Sequence, residues 1–161
     1  MARTIPREVT NEEKAWLSGI LDGEGSITLL RSRKAIRENG EKANRIVYGI
    51  YFVGAENGWI EKAHEIVLKL WNGEGKPIKL QDKKYQKGIF KTHKEMKQFC
   101  VRRQSTIISV LEATLPHLTE KRFKANNLLE FLKQRKTFSR VSDEEIAKFV
   151  TPVETKRKTL R

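Results

Sequence analysis

Cysteine and long apolar runs are the scarcest features of this chain of 161 residues. Its one cysteine, Cys100, excludes an internal disulfide and a cysteine-based zinc site, and we expect it to be a small core residue. No apolar run approaches the roughly 20 residues that span a bilayer, and no secretory signal opens the sequence. These absences favour an intracellular protein, cytoplasmic in a prokaryote or organellar, with no membrane partner.

Positive charge is abundant by contrast. The chain has 33 Lys and Arg against 20 Asp and Glu, a formal net charge of +13. Residues 31–45 hold six basic against two acidic residues, residues 76–103 hold ten against two, and residues 46–75 hold two against four. A merely soluble basic surface is the alternative, but it would not predict this partition. We therefore expect a polyanionic partner that contacts the two basic segments.

The spacing of apolar residues predicts alternating helices and strands in one α+β domain. Arg45 to Val53 alternates, with Ile46, Tyr48, Ile50 and Phe52 on one face. The predicted helices cover about 10–21, 59–71, 94–115, 120–136 and 142–150. The predicted strands cover 26–34, 45–53, 77–81 and 85–91, so that the two basic segments form hairpins.

One segment has an unusual composition, WLSGILDGEGSI at residues 16–27. An apolar helical stretch passes through two small residues, Ser18 and Gly19, into the acidic turn Asp22-Gly23-Glu24-Gly25. Small residues let two helices approach closely, and glycines let backbone and carboxylate crowd around one point. A carboxylate at such a helix end is suited to holding a hard divalent cation against a phosphate.

This segment resembles the nine-residue motif of the LAGLIDADG homing endonucleases, with Leu17 to Gly25 as the motif. The resemblance covers roughly residues 10–132, which would be the core of a single domain over 1–161, with a helical extension over 133–161. It implies the family's αββαββα core with an antiparallel DNA-binding sheet. The sequence holds one copy of the motif, and single-motif chains of this family act as homodimers.

The resemblance also implies a catalytic centre. Glu24 would bind Mg²⁺, or another divalent cation such as Mn²⁺, with the Gly23 carbonyl as a further ligand. Lys121 would stabilise charge near the cleaved bond; a solvated helix face is the alternative there, and Arg122 is a neighbouring candidate. The alternative for Glu24 is that it only caps a turn or pairs with a lysine. The family's polar residue at the end of the second strand is replaced by Gly54, with Glu56, Asn57 or water as candidates for its role.

Two further sets of residues follow from the resemblance and the strand pattern. The motif helix would form the dimer interface, and Asp22 would support that interface through hydrogen bonds. The predicted interface residues are Leu17, Ser18, Gly19, Leu21 and Asp22. The hairpins would bind DNA, with arginine and glutamine suited to base contacts and lysine to phosphate contacts. The predicted DNA-binding residues are Thr28, Ser32, Arg33, Lys34, Arg45, Tyr51, Lys79, Gln81, Lys84 and Gln86.

The resulting prediction is a site-specific double-strand DNA endonuclease that hydrolyses phosphodiesters on a long pseudo-palindromic target. The family is typically encoded within introns or inteins, and this chain fits a freestanding or intron-encoded member. Two alternatives stay open: an intron RNA-splicing maturase of the same family, which would bind RNA, and a catalytically inactive DNA-binding regulator. An acid at Glu24 favours the nuclease over the regulator, because an inactive protein has no need of it.

Overall fold

The computed structural model describes residues 8–36, 40, 42–73, 75–83 and 95–135, with 31–36 and 42–45 described by their backbone. Within these residues, three helices and four strands follow one another in the predicted order αββαββα, and a fourth helix follows them. The helices are α1 (Asn11–Gly23), α2 (Trp59–Leu70), α3 (Gln104–Thr114) and α4 (Arg122–Gln134), with a 3₁₀ turn at Leu115–His117. The strands are β1 (Gly25–Ile36), β2 (Lys42–Ala55), β3 (Gln81–Lys83) and β4 (Met96–Val101).

The start of α1 is fixed by a capping box. The Thr10 hydroxyl accepts a hydrogen bond from the Glu13 amide at 3.1 Å, and the Glu13 carboxylate accepts one from the Thr10 amide at 3.0 Å. Two of the helix's first backbone donors are satisfied in this way. Glu13 also pairs with Lys69 near the end of α2, so the cap ties the two helices together.

The four strands form one antiparallel sheet in the order β1-β2-β4-β3. One face of the sheet, called the inner face here, packs against the helices. Ile50 and Phe52 of β2 and Phe99 and Val101 of β4 are buried on it, and the Phe52 and Phe99 rings stack at 4.7 Å. The predicted alternation of β2 is therefore confirmed, and its intervening residues lie on the opposite, outer face.

The predicted start of the helix over 94–115 was wrong. Residues 96–101, predicted as helix, form β4, because Phe99 and Val101 alternate into the core while the strand pairs with both β2 and β3. Cys100 is correspondingly half-buried on the outer face, not in the core. The ladder of β3 begins at Gln81, whereas 77–80 lies outside it.

The last described helix also differs from its prediction. It begins at Arg122 and not at 120, its N-cap residue is Lys121, and the cap has no side-chain hydrogen bond. The predicted strand over 85–91 and the predicted helix over 142–150 lie outside the described residues. Of the helices that the structure describes, none has the length and apolar content needed to cross a membrane.

Candidate active site

The acidic turn lies where α1 meets the sheet. The Glu24 amide closes the helix with a hydrogen bond to the Ile20 carbonyl at 2.8 Å, and β1 begins at the next residue. A Cβ on Gly25 would lie 2.6 Å from Leu21 Cδ1, so only glycine permits so close an approach of strand to helix. The Glu24 side chain is exposed, and the chain thus presents one carboxylate at the C-terminal end of α1.

Lys121 lies at the same helix end. Its ammonium donates hydrogen bonds to the Leu21 carbonyl at 2.8 Å and to the Asp22 carbonyl at 2.6 Å. The last carbonyls of a helix lack intrahelical partners and carry the negative end of its dipole, so a cation is favoured there. The structure thus brings Lys121 and the glutamate turn together, although they are far apart in sequence.

Asp22 completes a reciprocal connection. Its carboxylate accepts hydrogen bonds from the Thr119 amide at 2.8 Å, the Thr119 hydroxyl at 3.0 Å and the Lys121 amide at 2.9 Å. Partial burial by itself raises the pKa of Asp22, but the donors at Thr119 and Lys121 outweigh it and hold the pKa below its usual value. Asp22 thus binds the chain that leads into α4, whereas Lys121 binds the end of α1. We call this pair the Asp22–Lys121 clamp.

The donor set at this helix end fits a hard cation only in part. Glu24 offers an exposed carboxylate and Gly23 is exposed beside it, at the negative end of the helix dipole. Within the described residues, however, no three His, Cys, Asp or Glu side chains come together. Mg²⁺ uses six oxygen ligands and commonly takes several from water and phosphate. Glu24 and the Gly23 carbonyl are therefore suited to a shared site, completed by other molecules.

Three of the residues predicted for the dimer interface lie in the core of the chain. Leu17, Ser18 and Leu21 are fully buried within their own chain, and the Ser18 hydroxyl donates to the Thr114 carbonyl of α3 at 3.0 Å. Their faces of the helix are occupied by the core of their own chain, and the dimer interface itself stays a prediction. Gly19 is exposed, with nothing within 4 Å of a Cβ built on it, and Asp22 is half-exposed.

The exposed stripe of α1 lies on a different side of the helix from the buried residues Leu17, Ser18 and Leu21. Ala15, Gly19 and Gly23 follow at intervals of four residues and are all exposed. Such spacing places them on one line along the helix surface. Sequence reasoning recognised the small residues of the motif but not which of them face outward, because that depends on where α3 packs.

Gly54 is explained by its neighbour on the inner face. A Cβ at this position would lie 2.7 Å from Cζ2 of Trp59, so the indole excludes a longer side chain. Glu56 is engaged by Lys97 at 3.0 Å, and hydrogen bonds from Glu95 and Lys97 hold its pKa below the usual value. The Asn57 side chain is exposed, and the Asn57 backbone amide donates a hydrogen bond to the Glu61 carboxylate at 2.8 Å.

The predicted DNA-binding residues divide by position. Thr28 and Tyr51 lie on the outer face, and Ser32 and Arg45 are opposite each other in the β1–β2 register. Arg33 and Lys34 lie where that register shifts. Lys79 and Gln81 are exposed before and at the start of β3, whereas Lys84 and Gln86 lie outside the described residues.

Sequence reasoning missed Gln98, which lies on the outer face directly opposite Gln81 and Val53. The missed signal was the alternation of Met96, Gln98 and Cys100 against Phe99 and Val101, hidden by assigning these residues to a helix. Leu30, 56% exposed on the same face of β1, was also not singled out.

Solved structures with a similar fold are complexes of homing endonucleases with DNA. I-CvuI bound to the I-CreI target in the presence of Mg aligns over 76% of this chain and 67% of its own, with 19% identity and a TM-score of 0.54. I-CvuI bound to its own target in the presence of Ca aligns over 86% and 92%, with 15% identity and a TM-score of 0.52. The intron-encoded I-CeuI bound to DNA aligns over 78% of this chain and 56% of its own, with 17% identity and a TM-score of 0.55.

No protein-family model and no curated protein matches the chain. The similarity is thus one of three-dimensional structure, at identities too low to carry over individual residues. It agrees with the element order and with the motif at residues 17–25. The chain has the fold of the homing endonucleases, as its resemblance to the LAGLIDADG motif predicted.

Proposed function

We propose that this protein is a site-specific double-strand DNA endonuclease that acts as a homodimer and requires a divalent cation. The observation that carries the proposal is the exposed Glu24 carboxylate beside the Asp22–Lys121 clamp, on a fold whose solved relatives are complexes with DNA. A buried or paired carboxylate would have indicated a structural role. The exposed one is available to a cation and a phosphate.

A second copy of the chain is expected to pack on the exposed stripe of α1, formed by Ala15, Gly19 and Gly23. Small residues at this spacing let two helix backbones approach closely. Because Glu24 follows the last of them, the two glutamates would meet near the twofold axis. Two like charges there repel each other unless cations intervene, which favours cation binding at the shared site.

Each group of the chain then has a task in hydrolysis. Glu24 and the Gly23 carbonyl would hold the cation, which when bound acidifies water and neutralises charge on the phosphate. The Lys121 ammonium adds a fixed positive charge at the same helix end, where it can stabilise the negative charge of the pentacovalent transition state. The clamp orients both groups, since Lys121 is tied to the last carbonyls of α1. The outer face of the sheet would lie in the major groove, which accommodates a two-stranded ribbon.

The test is Glu24→Gln, which keeps the size of the side chain and removes its charge. A bound duplex is first selected from a random DNA library with the full chain in Ca²⁺, and cleavage of that duplex is then measured in Mg²⁺. We expect the cleavage rate to fall about 10³-fold or more, because a metal site contributes several kcal/mol to the transition state. The dissociation constant for DNA should stay within about threefold, since phosphate contacts dominate affinity.

The matched control is Glu65→Gln, an exposed acid on α2, which should cut at the wild-type rate. EDTA should stop cleavage by the wild-type protein. Undiminished cutting by Glu24→Gln would show that the metal site is assigned to the wrong residue. Tight binding to intron RNA without any DNA cleavage would favour a maturase instead.

A further inference from the structure

The outer face of the sheet has an unexpected composition for a protein of net charge +13. By register, Ser26, Thr28 and Leu30 of β1 lie on it with Val47, Gly49, Tyr51 and Val53 of β2, Met96, Gln98 and Cys100 of β4, and Gln81 and Lys83 of β3. Among these residues, which end before the Ser32–Arg45 pair, Lys83 is the single charged one, and it lies in edge strand β3. The remaining side chains are apolar, hydroxyl-bearing or amide-bearing.

This composition suits base edges better than phosphates. Phosphate contacts call for Lys and Arg, and in the rows of β1, β2 and β4 named above there is none; Arg45 follows in the next outer row of β2. Two pairs stand out in the register: Leu30 opposite Val47, and Gln98 opposite Gln81. Leu30 is 56% exposed and Gln81 is exposed, so both pairs include a side chain that projects into solvent.

Each base edge in the major groove has its own chemical partner. The thymine C5 methyl is contacted by apolar side chains, and the N6 and N7 atoms of adenine are bound by the two ends of a Gln or Asn amide. Guanine is bound chiefly by Arg or Lys, and cytosine by Glu or Asp. In the rows up to the Leu30–Val47 pair, partners for thymine and adenine are present and acids for cytosine are absent, while the nearest guanine partner in β2 is Arg45 of the next outer row.

The spacing of the face also matches the groove. Alternate residues of a strand lie about 6.8 Å apart, which is close to two base-pair steps of about 3.4 Å. Thr28 and Leu30 would therefore reach positions two base pairs apart. Since β1 begins directly after Glu24, these rows belong to the end of the ribbon nearest the proposed cleavage centre, ahead of the Ser32–Arg45 pair.

We propose that this outer face selects A·T base pairs in the part of each half-site nearest the cut. Leu30 and Val47 contact thymine methyl groups, and Gln98 and Gln81 bind adenine. The proposal rests on the proposed function and adds the class of base that the sheet recognises. It assigns specificity to Gln98 and Leu30, and it leaves the hairpin ends free to select other bases.

The first test replaces thymine by uracil, which removes only the C5 methyl group. In the duplex selected from the random library, uracil at the inner A·T positions should weaken binding about threefold to fourfold per contacted methyl. Leu30→Ala should bind the thymine duplex more weakly and lose most of the difference between thymine and uracil. Phe123→Ala, which removes a side chain 66% exposed on α4, should keep that difference.

The second test concerns adenine. Gln98→Ala should reduce the preference for A·T over G·C at one inner position by about 5- to 150-fold, the range of a good bidentate contact. Replacing that adenine by 7-deazaadenine removes the N7 acceptor. This replacement should weaken binding by the wild-type protein nearly as much as Gln98→Ala does, and should weaken binding by the Gln98→Ala variant little further. Gln134→Ala, an exposed glutamine at the end of α4, is the control and should leave the preference unchanged.

The outcomes separate the two proposals. Selection of a duplex with G·C at these inner positions, or equal binding of thymine and uracil duplexes, would overturn the base assignment while leaving the endonuclease proposal intact. Failure to enrich any duplex sequence would overturn both. The proposal predicts that the difference in binding between thymine and uracil duplexes is lost in Leu30→Ala and kept in Phe123→Ala.

Discussion

At the scale of single residues, the Asp22–Lys121 clamp is the most specific feature of the site. Asp22 and Lys121 are 99 positions apart in sequence. The Asp22 carboxylate accepts from the Lys121 backbone amide, and the Lys121 ammonium donates to the Asp22 backbone carbonyl. Neither neutralises the other directly. The carboxylate satisfies amides that would otherwise lack partners, and the ammonium satisfies carbonyls at a helix end. The clamp fixes the place from which Glu24 projects.

Asp22→Asn tests the acid side of the clamp. Because charged acceptors form stronger hydrogen bonds, we expect the free energy of unfolding at pH 7 to fall by about 1 kcal/mol. The pKa of Asp22 is lowered in the folded protein from its usual 3.8, so its stabilisation is present above that value and is lost as the pH falls through the folded pKa. Melting temperatures of wild type and Asp22→Asn should therefore converge below about pH 4, when measured by circular dichroism.

The control for this prediction is Glu120→Gln, an exposed acid beside the clamp, whose melting curve should follow the wild type. A gap between wild type and Asp22→Asn that is constant over the whole pH range would contradict the role of the charge.

Lys121→Met tests the base side and separates a helix cap from a catalytic group. Removing the ammonium leaves the Leu21 and Asp22 carbonyls without that donor, which should cost about 1–3 kcal/mol of stability. At a temperature where the variant is fully folded, cleavage should still be slower by about 10²-fold, as for other lost charge-stabilising groups. The control is Lys124→Met, at an exposed position of α4, which should keep both the wild-type stability and the wild-type cleavage rate. A folded Lys121→Met that cuts at the wild-type rate would limit Lys121 to capping.

At the scale of elements, the junction of α1 and β1 depends on one of its two glycines. A Cβ on Gly25 would lie 2.6 Å from Leu21 Cδ1 and 3.0 Å from Leu21 Cα, whereas nothing lies within 4 Å of a Cβ on Gly23. Gly25→Ala should therefore lower the free energy of unfolding by about 1–3 kcal/mol through overpacking. Gly23→Ala should be neutral or stabilising by up to about 1 kcal/mol, because alanine favours the helix. Urea unfolding of both variants measures the two changes in the free energy of unfolding. Equal changes for Gly25→Ala and Gly23→Ala would contradict this prediction.

The elements also indicate what could be predicted from sequence. Helix α1 has a capping box, and strand β2 and helix α2 have strong periodicity, so their predicted positions are close to the observed ones. Strand β4 was missed because its alternation is short and Met96 to Gln98 favours a helix locally; the segment becomes a strand by pairing with β2. The partner of Asp22 was hidden for a similar reason: Thr119 is brought to it by the fold and by no local pattern.

At the scale of the whole molecule, α1 has two working faces. Leu17, Ser18 and Leu21 pack into the core of their own chain, while Ala15, Gly19 and Gly23 are exposed. The motif therefore supplies the inside of one domain and, in the proposed dimer, the contact between two domains. Sequence reasoning placed the motif at the interface but could not assign its phase, because the side that α3 covers is fixed only in the folded chain.

This division makes Gly19→Leu a test of the assembly that spares the fold. Nothing lies within 4 Å of a Cβ on Gly19, so the chain accepts the side chain, and leucine should raise helix stability by up to about 1 kcal/mol over glycine. Between two helices in close contact, the same side chain would force the backbones apart. We expect monomers by sedimentation, an unchanged or higher melting temperature at low concentration, and loss of double-strand cleavage. Asn126→Leu, at an exposed position of α4, should assemble like the wild type. A Gly19→Leu protein that remains dimeric would place the contact between subunits on another surface.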